Sequence, residues 1–386
     1  LHSTSRRQRQ MSIRERANIA WAPSLVSYNL SWEKIRTWNA GVDFGLFNNR
    51  LTGSFDYYIR KTDDMVGPSE KLPVVLGTAV PSSNNTNLKT FGWELELMWK
   101  DRLNNGLNYS ARFTLADSRT KITRYSNPSG LIDGFYAGKY VGEIWGYETI
   151  GIAQSDQEMA EHIGRLINGG QSNLGQDWKA GDIMYKDLNE DGKIDAGSRT
   201  LQDHGDLKRI GNSTPRYNVG LELAADWKGF DIRMFWQGTL KRDYFQGSYY
   251  FWGANGRQGP WFSTALKGHD DYFRNDEASP LGTNLNSYYP RPLFNTDKNQ
   301  QSQTKYLQDA SYLRLKNLQI GYSLPHNIVQ KMGMQHLRIF ASGENLFTIT
   351  SLIDFFDPES IEGGSWGHGN VYPLSRTFSF GLNVTF

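Results

Sequence analysis

The end of the sequence, residues 376–386, alternates strictly between two kinds of side chain. Phe, Leu or Val stands at every second position from Phe378 to Phe386, and small or polar residues stand between them. Because successive side chains of a β-strand point to opposite sides, this pattern predicts a strand with one apolar face and one polar face. A transmembrane barrel strand needs both faces, since lipid lies outside it and water inside.

The same alternation recurs in pairs of segments separated by short turns. Asn48-Asn49, Asn104-Asn105-Gly106 and Lys228-Gly229 supply residues that tolerate the positive φ of a tight turn. The pattern therefore predicts antiparallel hairpins. The predicted strands are 38–46, 51–60, 91–99, 107–115, 217–227, 230–236, 312–323, 337–348 and 377–386.

Charged side chains share the polar face of these strands, where only a wet environment tolerates them. We expect this face to line a lumen. The residues concerned are Asp43, Asp56, Glu94, Glu96, Arg112 and Glu222.

The connections alternate between short turns and long loops. Four long loops are predicted, at residues 61–88, 117–215, 243–308 and 353–375, with a possible strand near 140–152 and a short helix near 156–167. Loops of that size are uncommon in compact domains, whereas outer-membrane barrels carry short periplasmic turns and long extracellular loops. The fold class is therefore all-β, an antiparallel transmembrane barrel, with a soluble β-sandwich or propeller as the alternative.

The composition excludes some classes of function and leaves several others open. Mean hydropathy is -0.59, and no run of about 18 apolar residues predicts a transmembrane helix. A formal charge of +2 gives no reason to expect nucleic acid as a partner, and the absence of cysteine excludes disulfides and thiolate metal sites. Aromatic residues make up 13% of the chain, which suits interfacial girdles or sugar-stacking platforms.

The segment from residue 187 to 195 has the ligand spacing of a calcium loop. Oxygen ligands stand at positions 1, 3, 5 and 9, a glycine stands at position 6, and position 7 would offer its backbone carbonyl. Position 12 is Ser198 instead of a bidentate carboxylate, so a Ca²⁺ site here would be weak; the alternative is a turn without metal. The candidate ligands are Asp187, Asn189, Asp191, Lys193 and Asp195.

Aromatic residues are concentrated in the predicted loop 243–294, among Asn and Asp residues. Aromatic rings stack on sugar rings, while neighbouring amides and carboxylates bind hydroxyl groups. We therefore select Tyr249, Tyr250, Trp252 and Trp261 as candidate substrate-binding residues. The alternative is that these rings pack the loop itself or a covering protein.

Residues 363–367 match the spacing G-x-S-x-G of a hydrolase nucleophile, with Ser365 at its centre. That motif needs a strand before the serine and a helix after it, whereas here a glycine-rich loop leads into the last strand. The histidines lack the spacing of a metal-ligating pair. We therefore predict no catalytic residue and no enzyme activity, with an outer-membrane hydrolase as a minor alternative.

Four stretches of the sequence, in order, carry a resemblance to a known family. They are residues 48–58, 211–217, 309–318 and the aromatic C-terminus. Together they resemble the C-terminal half of SusC/RagA-type TonB-dependent outer-membrane transporters.

The resemblance implies a Gram-negative outer-membrane location and a barrel of about 22 strands around a plug. It also implies a SusD-like surface lipoprotein as partner, uptake of oligosaccharides or peptides driven by the TonB complex, and a terminal Phe386 read by the barrel-assembly machinery.

The sequence departs from the family because it shows no plug, no TonB-contacting segment and no export signal before residue 30. Residues 1–30 are expected to be an irregular remnant, and 31–386 to be the C-terminal barrel portion with about ten strands. Such a portion exposes unpaired strand edges to lipid, so we expect a fragment that does not transport alone. The alternative function is a soluble, calcium-dependent glycan-binding or adhesin module.

Overall fold

The computed structural model describes residues 30–67, 81–254, 263, 265–362, 369 and 371–386. Its main feature is an antiparallel sheet of nine strands that pair only with their neighbours in the order β1-β2-β3-β4-β9-β10-β13-β14-β15. These strands are β1 Lys34–Leu46, β2 Leu51–Gly67, β3 Ser83–Arg102, β4 Asn108–Arg124, β9 Arg216–Trp227, β10 Phe230–Lys241, β13 Tyr312–Ser323, β14 His336–Thr350 and β15 Thr377–Thr385.

Smaller elements lie in the connections. Three two-stranded sheets pair β5 with β8, β6 with β7, and β11 with β12. Their strands are β5 Glu143–Gly146, β6 Thr149–Ile152, β7 Ile183–Tyr185, β8 Lys208–Asn212, β11 Asp243–Phe245 and β12 Leu307–Asp309. The helices are α1 Asp156–Arg165, α2 Tyr249–Trp252 and α3 His326–Lys331, with a 3-10 turn at Lys267–Asp270.

The predicted tight turns form as their sequences require. Asn48 and Asn49 adopt φ of 56° and 62°, and Lys228 and Gly229 adopt 49° and 88°. Positive φ at both central residues matches the right-handed twist of the flanking strands. Each turn thus fixes the register of its hairpin: Leu46 pairs with Leu51, and Trp227 pairs with Phe230.

The sheet has the two faces that the alternation predicts. Phe378 and Phe380 on the terminal strand are 69% and 85% exposed, and the outward residues of β14, such as Ile339, are also exposed. On the opposite face Asp56 pairs with Glu94, and Arg112 binds Glu96 through two hydrogen bonds of 3.0 and 2.9 Å. The sheet is open between β1 and β15 in the described residues.

Three predicted boundaries are wrong. β2 runs to Gly67 and β3 begins at Ser83, so both ends of the predicted loop 61–88 are strand, while residues 68–80 lie outside the described residues; β4 likewise continues to Arg124. These extensions carry polar residues on both faces, for example Lys61 and Lys121. A strand that continues beyond the membrane is wet on both sides, so its alternation fades while its backbone pairing continues.

The long connections fold together and are not loose loops. Residues 125–215, 242–311 and 351–362, here called the loop layer, share one hydrophobic core. The predicted strand and helix in the first connection are confirmed as β5, β6 and α1. Fully or almost fully buried members of the core include Ile132, Ile183, Tyr185, Ile194, Phe251, Tyr306 and Ile361.

Two buried arginines fasten the last connection to the sheet. Arg314 on β13 is 4% exposed at its side chain and binds Asp357 at 2.7 Å and Glu359 at 3.0 Å. Arg242, just after β10, binds Glu362 at 2.7 Å. Because these pairs lie on the polar face of the strands, segment 351–362 is held against the polar side of the sheet.

In the described ranges, no helix combines the length and apolarity needed to cross a membrane.

Candidate binding sites in the loop layer

The aromatic segment of the sequence forms α2, which lies inside the loop-layer core. Phe251 is fully buried and Trp252 is 6% exposed, with its ring centroid 4.6 Å from that of Tyr306. Tyr249 and Tyr250 are half-buried, with centroids 4.3 Å apart. Trp252 thus packs the layer, as the alternative interpretation held, while Trp261 lies outside the described residues.

Trp252 also borders a cavity of about 320 Å³ whose other walls include Ala265, Tyr289, Pro292 and Phe294. Most of this lining is apolar. The Trp252 indole nitrogen and the Tyr289 hydroxyl are both buried and make no hydrogen bond with any described residue. Unpaired polar groups of this kind are uncommon in protein interiors.

His269 supports the wall of this cavity. Its Nδ1 accepts the Leu266 amide at 2.9 Å, which leaves Nε2 to donate to the carbonyls of Tyr250 and Phe251 at 3.0 and 3.1 Å. Burial lowers the pKa of His269. The imidazole is therefore a neutral structural bridge that fixes the backbone of α2.

The predicted calcium loop is bent around the carboxylate of Asp187. This carboxylate accepts the amides of Glu190 at 2.7 Å and Gly192 at 2.9 Å, and Gly192 has a φ of +80°. Asn189 and Asp191 each accept the amide two residues further on, at 3.3 and 3.1 Å. The loop therefore has the tight bend that its sequence predicts.

Buried Asp206 joins the two ends of this loop, a role that the sequence analysis missed. Its carboxylate accepts the Leu188 amide at 2.7 Å and the Asp195 amide at 2.8 Å, and burial raises the pKa of Asp206. The contact spans 11 and 18 residues along the chain. No local motif signals it.

The oxygen atoms of this loop suit a hard cation such as Ca²⁺, but the ammonium group of Lys193 would compete with that cation for the carboxylates. The Lys193 ammonium lies 2.7 Å from Asp195 and 3.7 Å from Asp191. Within the described residues, no group of three or more His, Cys, Asp or Glu side chains is arranged to hold a metal ion. The five candidate ligands thus lie on one bent loop, and the ammonium group of Lys193 lies near the carboxylates of Asp191 and Asp195.

The predicted lumen face carries a cavity of about 490 Å³ along β2, β3, β4, β9 and β10. Asp56, Glu94 and Glu96 line it together with Asn218 and Gln237. Further along this face, Arg338 binds Asp231 at 2.8 and 2.5 Å. The wall thus carries charged and amide side chains among some apolar ones, such as Phe235, and a barrel lumen is polar in this way. Ser365 of the G-x-S-x-G spacing lies outside the described residues.

This architecture defines a class of protein: a portion of an antiparallel transmembrane β-barrel with a folded layer at one end. The profile of the family described as "TonB dependent receptor-like, beta-barrel" matches residues 16–346. The chain belongs to that family, and its relatives make it a receptor of the SusC/RagA type, located in the outer membrane of Gram-negative bacteria. The long connections are therefore extracellular, and the alternative fold of a soluble β-sandwich or propeller is wrong.

Two named relatives are similar over almost the whole chain. TonB-dependent receptor P3 of Formosa agariphila is 29% identical over 380 residues, covering 93% of this chain and 34% of the relative. TonB-dependent receptor SusC of Bacteroides thetaiotaomicron is 27% identical over 373 residues, covering 94% and 33%. The chain therefore spans about a third of the length of these relatives.

The fold is similar to that of a solved transporter. The structure of the RagAB peptide transporter aligns with a TM-score of 0.67 at 24% sequence identity, covering 92% of this chain and 36% of the other. This likeness concerns the fold. The chain thus has the fold of a known barrel architecture.

Proposed function

We propose that this chain forms part of an outer-membrane nutrient importer that captures oligosaccharides or peptides at its extracellular side. The observation that carries the proposal is the two-faced nine-stranded sheet, whose polar face continues at one end into a folded loop layer with cavities. Substrate would bind in the loop layer and then pass along the polar wall. The proposed role is capture and passage of substrate, without bond chemistry.

The chain would act only as part of a larger barrel. Its sheet has free edges at β1 and β15 in the described residues, and each unpaired backbone group in lipid costs several kcal/mol. Additional strands would cover both edges, and a plug would fill the lumen beside Asp56 and Glu94. Coupling to the TonB complex would act through such a plug, and the barrel-assembly machinery would read the strand that ends at Phe386.

A SusD-like surface lipoprotein is the proposed partner at the extracellular face. The similarity of the chain to SusC and to the RagAB transporter supports this partner. The loop layer also offers an ordered surface that such a lipoprotein could cover. The test is affinity purification of the tagged receptor from outer membranes. We expect a lipoprotein in equal amount, and its absence at low salt would contradict the pairing.

Import is tested by deleting the receptor gene and following labelled oligosaccharide and peptide pools into cells. We expect uptake of one pool to fall to the background level and to return on complementation. As a physical control, the receptor should extract only with detergent. Unchanged uptake of both pools, or a receptor that disperses freely in water, would overturn the proposal.

Trp252, with Tyr249 and Tyr250, is the proposed substrate-binding group, through the cavity that Trp252 borders. Trp261 is included in this proposed group because of its place in the sequence, since it lies outside the described residues. The residues from Asp187 to Asp195 are the proposed weak Ca²⁺ site, which would stiffen the loop without taking part in import chemistry.

A further inference from the structure

A row of four cationic side chains, here called the cationic row, crosses the outward face of β1, β2, β3 and β4. In the strand register Arg36 pairs with Lys61, and Lys61 pairs in turn with Lys89. Lys89 then pairs with Lys121. Directly opposed residues of antiparallel strands have Cβ atoms about 4.5–5.5 Å apart, and like charges at such positions destabilise a sheet. A bound anion would remove this repulsion.

The cationic row lies at the level of the lipid head groups of the outer leaflet. Trp38, Ile59 and Phe91 form the next outward row, since Trp38 pairs with Ile59 and Ile59 pairs with Phe91. This row is two residues, or about 7 Å along the strand, closer to the middle of the membrane. Aromatic side chains at the edge of the apolar surface mark the membrane–water interface. The long connections leave the sheet at this end of the strands, so the interface is the extracellular one.

Most of the positive charge in the cationic row is not neutralised by the described part of the chain. Arg36 forms an ion pair with Asp63. Within the described ranges, no carboxylate forms an ion pair with Lys61, Lys89 or Lys121. Four cations against one carboxylate leave an excess of three positive charges along the row.

Aromatic rings position part of this charge. The Lys89 ammonium lies 4.6 Å from the ring centroid of Phe91, and the Lys121 ammonium lies 5.7 Å from that of Tyr140. The Arg119 guanidinium lies over the same tyrosine at 4.7 Å and is on the same strand face as Lys121. Cation–π contacts hold a cation in place without neutralising it. Ammonium and guanidinium groups held in this way can donate charge-assisted hydrogen bonds to phosphate oxygens.

We propose that the cationic row, together with Arg119, binds the phosphate groups of an anionic lipid in the outer leaflet. The acyl chains would lie against the apolar outward face of the strands, and the phosphates would stand beside the lysine ammonium groups. An anionic protein surface would match the charges of the row but not the apolar rows that continue beneath it into the membrane. The inference concerns the outer wall of the barrel and is independent of the substrate that passes through the lumen.

The test uses the receptor in a neutral detergent, with diphosphoryl lipid A as the probe and native mass spectrometry to measure the apparent Kd. We expect saturable binding that becomes about tenfold weaker in the double variant Lys61→Gln, Lys89→Gln, since each basic residue near an anionic head group adds to the affinity. The control variant Lys100→Gln, Lys331→Gln removes two exposed lysines near the short turns, at the other end of the strands, and should bind as the wild type does.

Thermal unfolding in the same detergent gives an independent measurement. Without lipid, Lys61→Gln, Lys89→Gln should unfold at a higher temperature than the wild type, because the substitutions remove repulsion along the row. With diphosphoryl lipid A, the wild type should gain more than the variant.

Equal lipid A affinity in the wild type and the double variant would overturn the inference, and so would equal binding of lipid A from which both phosphates have been removed. A third arm adds inorganic phosphate at millimolar concentration. If inorganic phosphate displaces lipid A completely at that concentration, the row is a site for a free anion and the assignment to a lipid is wrong.

Discussion

The Tyr185 hydroxyl donates a 2.7 Å hydrogen bond to the backbone carbonyl of Lys298, 113 residues further along the chain. Tyr185 is fully buried and lies on β7, in the first long connection, whereas Lys298 lies in the second. The bond joins two connections that leave the sheet at different strands. It is one of the contacts that, together with the shared hydrophobic core, link the long connections into the loop layer.

Asp182 is the ionic centre of this layer. It is fully buried and binds Arg291 through two 2.7 Å hydrogen bonds, Lys298 at 2.9 Å and Asn299 at 2.9 Å. Asp182→Asn removes the counter-charge of the buried Lys298 and of the partly exposed Arg291, and should destabilise the layer by about 3–5 kcal/mol. Limited trypsin digestion would show rapid cleavage of the layer and an intact barrel. Asp177→Asn, at an exposed side chain nearby, should digest as the wild type does.

The same carboxyl predicts a dependence on pH. Burial alone would raise the pKa of Asp182, but hydrogen bonds from Arg291, Asn299 and Lys298 outweigh it, and the pKa is lowered. This contribution to stability is present above the unfolded value of about 3.9 and is lost as pH falls through the lower folded value. Protection factors of the amides in residues 183–185, which compare the exchange rate with that of an unstructured chain at the same pH, should fall only as pH drops below the unfolded value of about 3.9. A fall in these protection factors between pH 5 and 7 would contradict this assignment.

Lys193 should weaken cation binding at the acidic loop, because its ammonium neutralises Asp191 and Asp195. Lys193→Met keeps the backbone carbonyl and removes the competing charge, so we expect several-fold tighter Ca²⁺ binding by calorimetry. Asp187→Asn should weaken it. If neither variant nor the wild type gives heat with millimolar Ca²⁺, the loop is a turn without metal.

Trp252 is buried in the core and lines the cavity, whereas Tyr249 is a half-buried neighbour that we propose binds substrate, so substitutions at both residues compare packing with binding. Trp252→Ala should destabilise the loop layer by about 3–5 kcal/mol, since it removes a large buried ring. Tyr249→Ala, at a half-buried ring, should weaken substrate binding with little loss of protease resistance. Equal loss of protease resistance in both variants would place Tyr249 in the packing core instead.

The orientation of the terminal strand is tested with a matched pair of arginines. Phe380→Arg places a charge on the lipid side and should cost about 2–4 kcal/mol near the bilayer centre. Ser379→Arg places it one residue away, on the lumen side, where the cost should be small. Urea unfolding of the receptor in bilayers compares them. A larger loss in Ser379→Arg would reverse the assignment of the two faces.

The sequence by itself determined the barrel, because its period of two places every apolar residue of 378–386 on one side, whatever the rest of the chain does. Local chemistry also fixed the turns at Asn48-Asn49 and Lys228-Gly229. The bend around Asp187 was likewise predictable, since its hydrogen bonds span only three and five residues.

Only the tertiary structure decided that the long connections form one core and that Trp252 is buried in it. These facts depend on contacts such as Asp182 with Arg291 and Tyr185 with Lys298, which are 109 and 113 residues apart. Irregular segments have no repeating pattern of apolar residues from which the buried side could be predicted. Their burial is set by packing against distant segments, and sequence pattern alone carries no record of it.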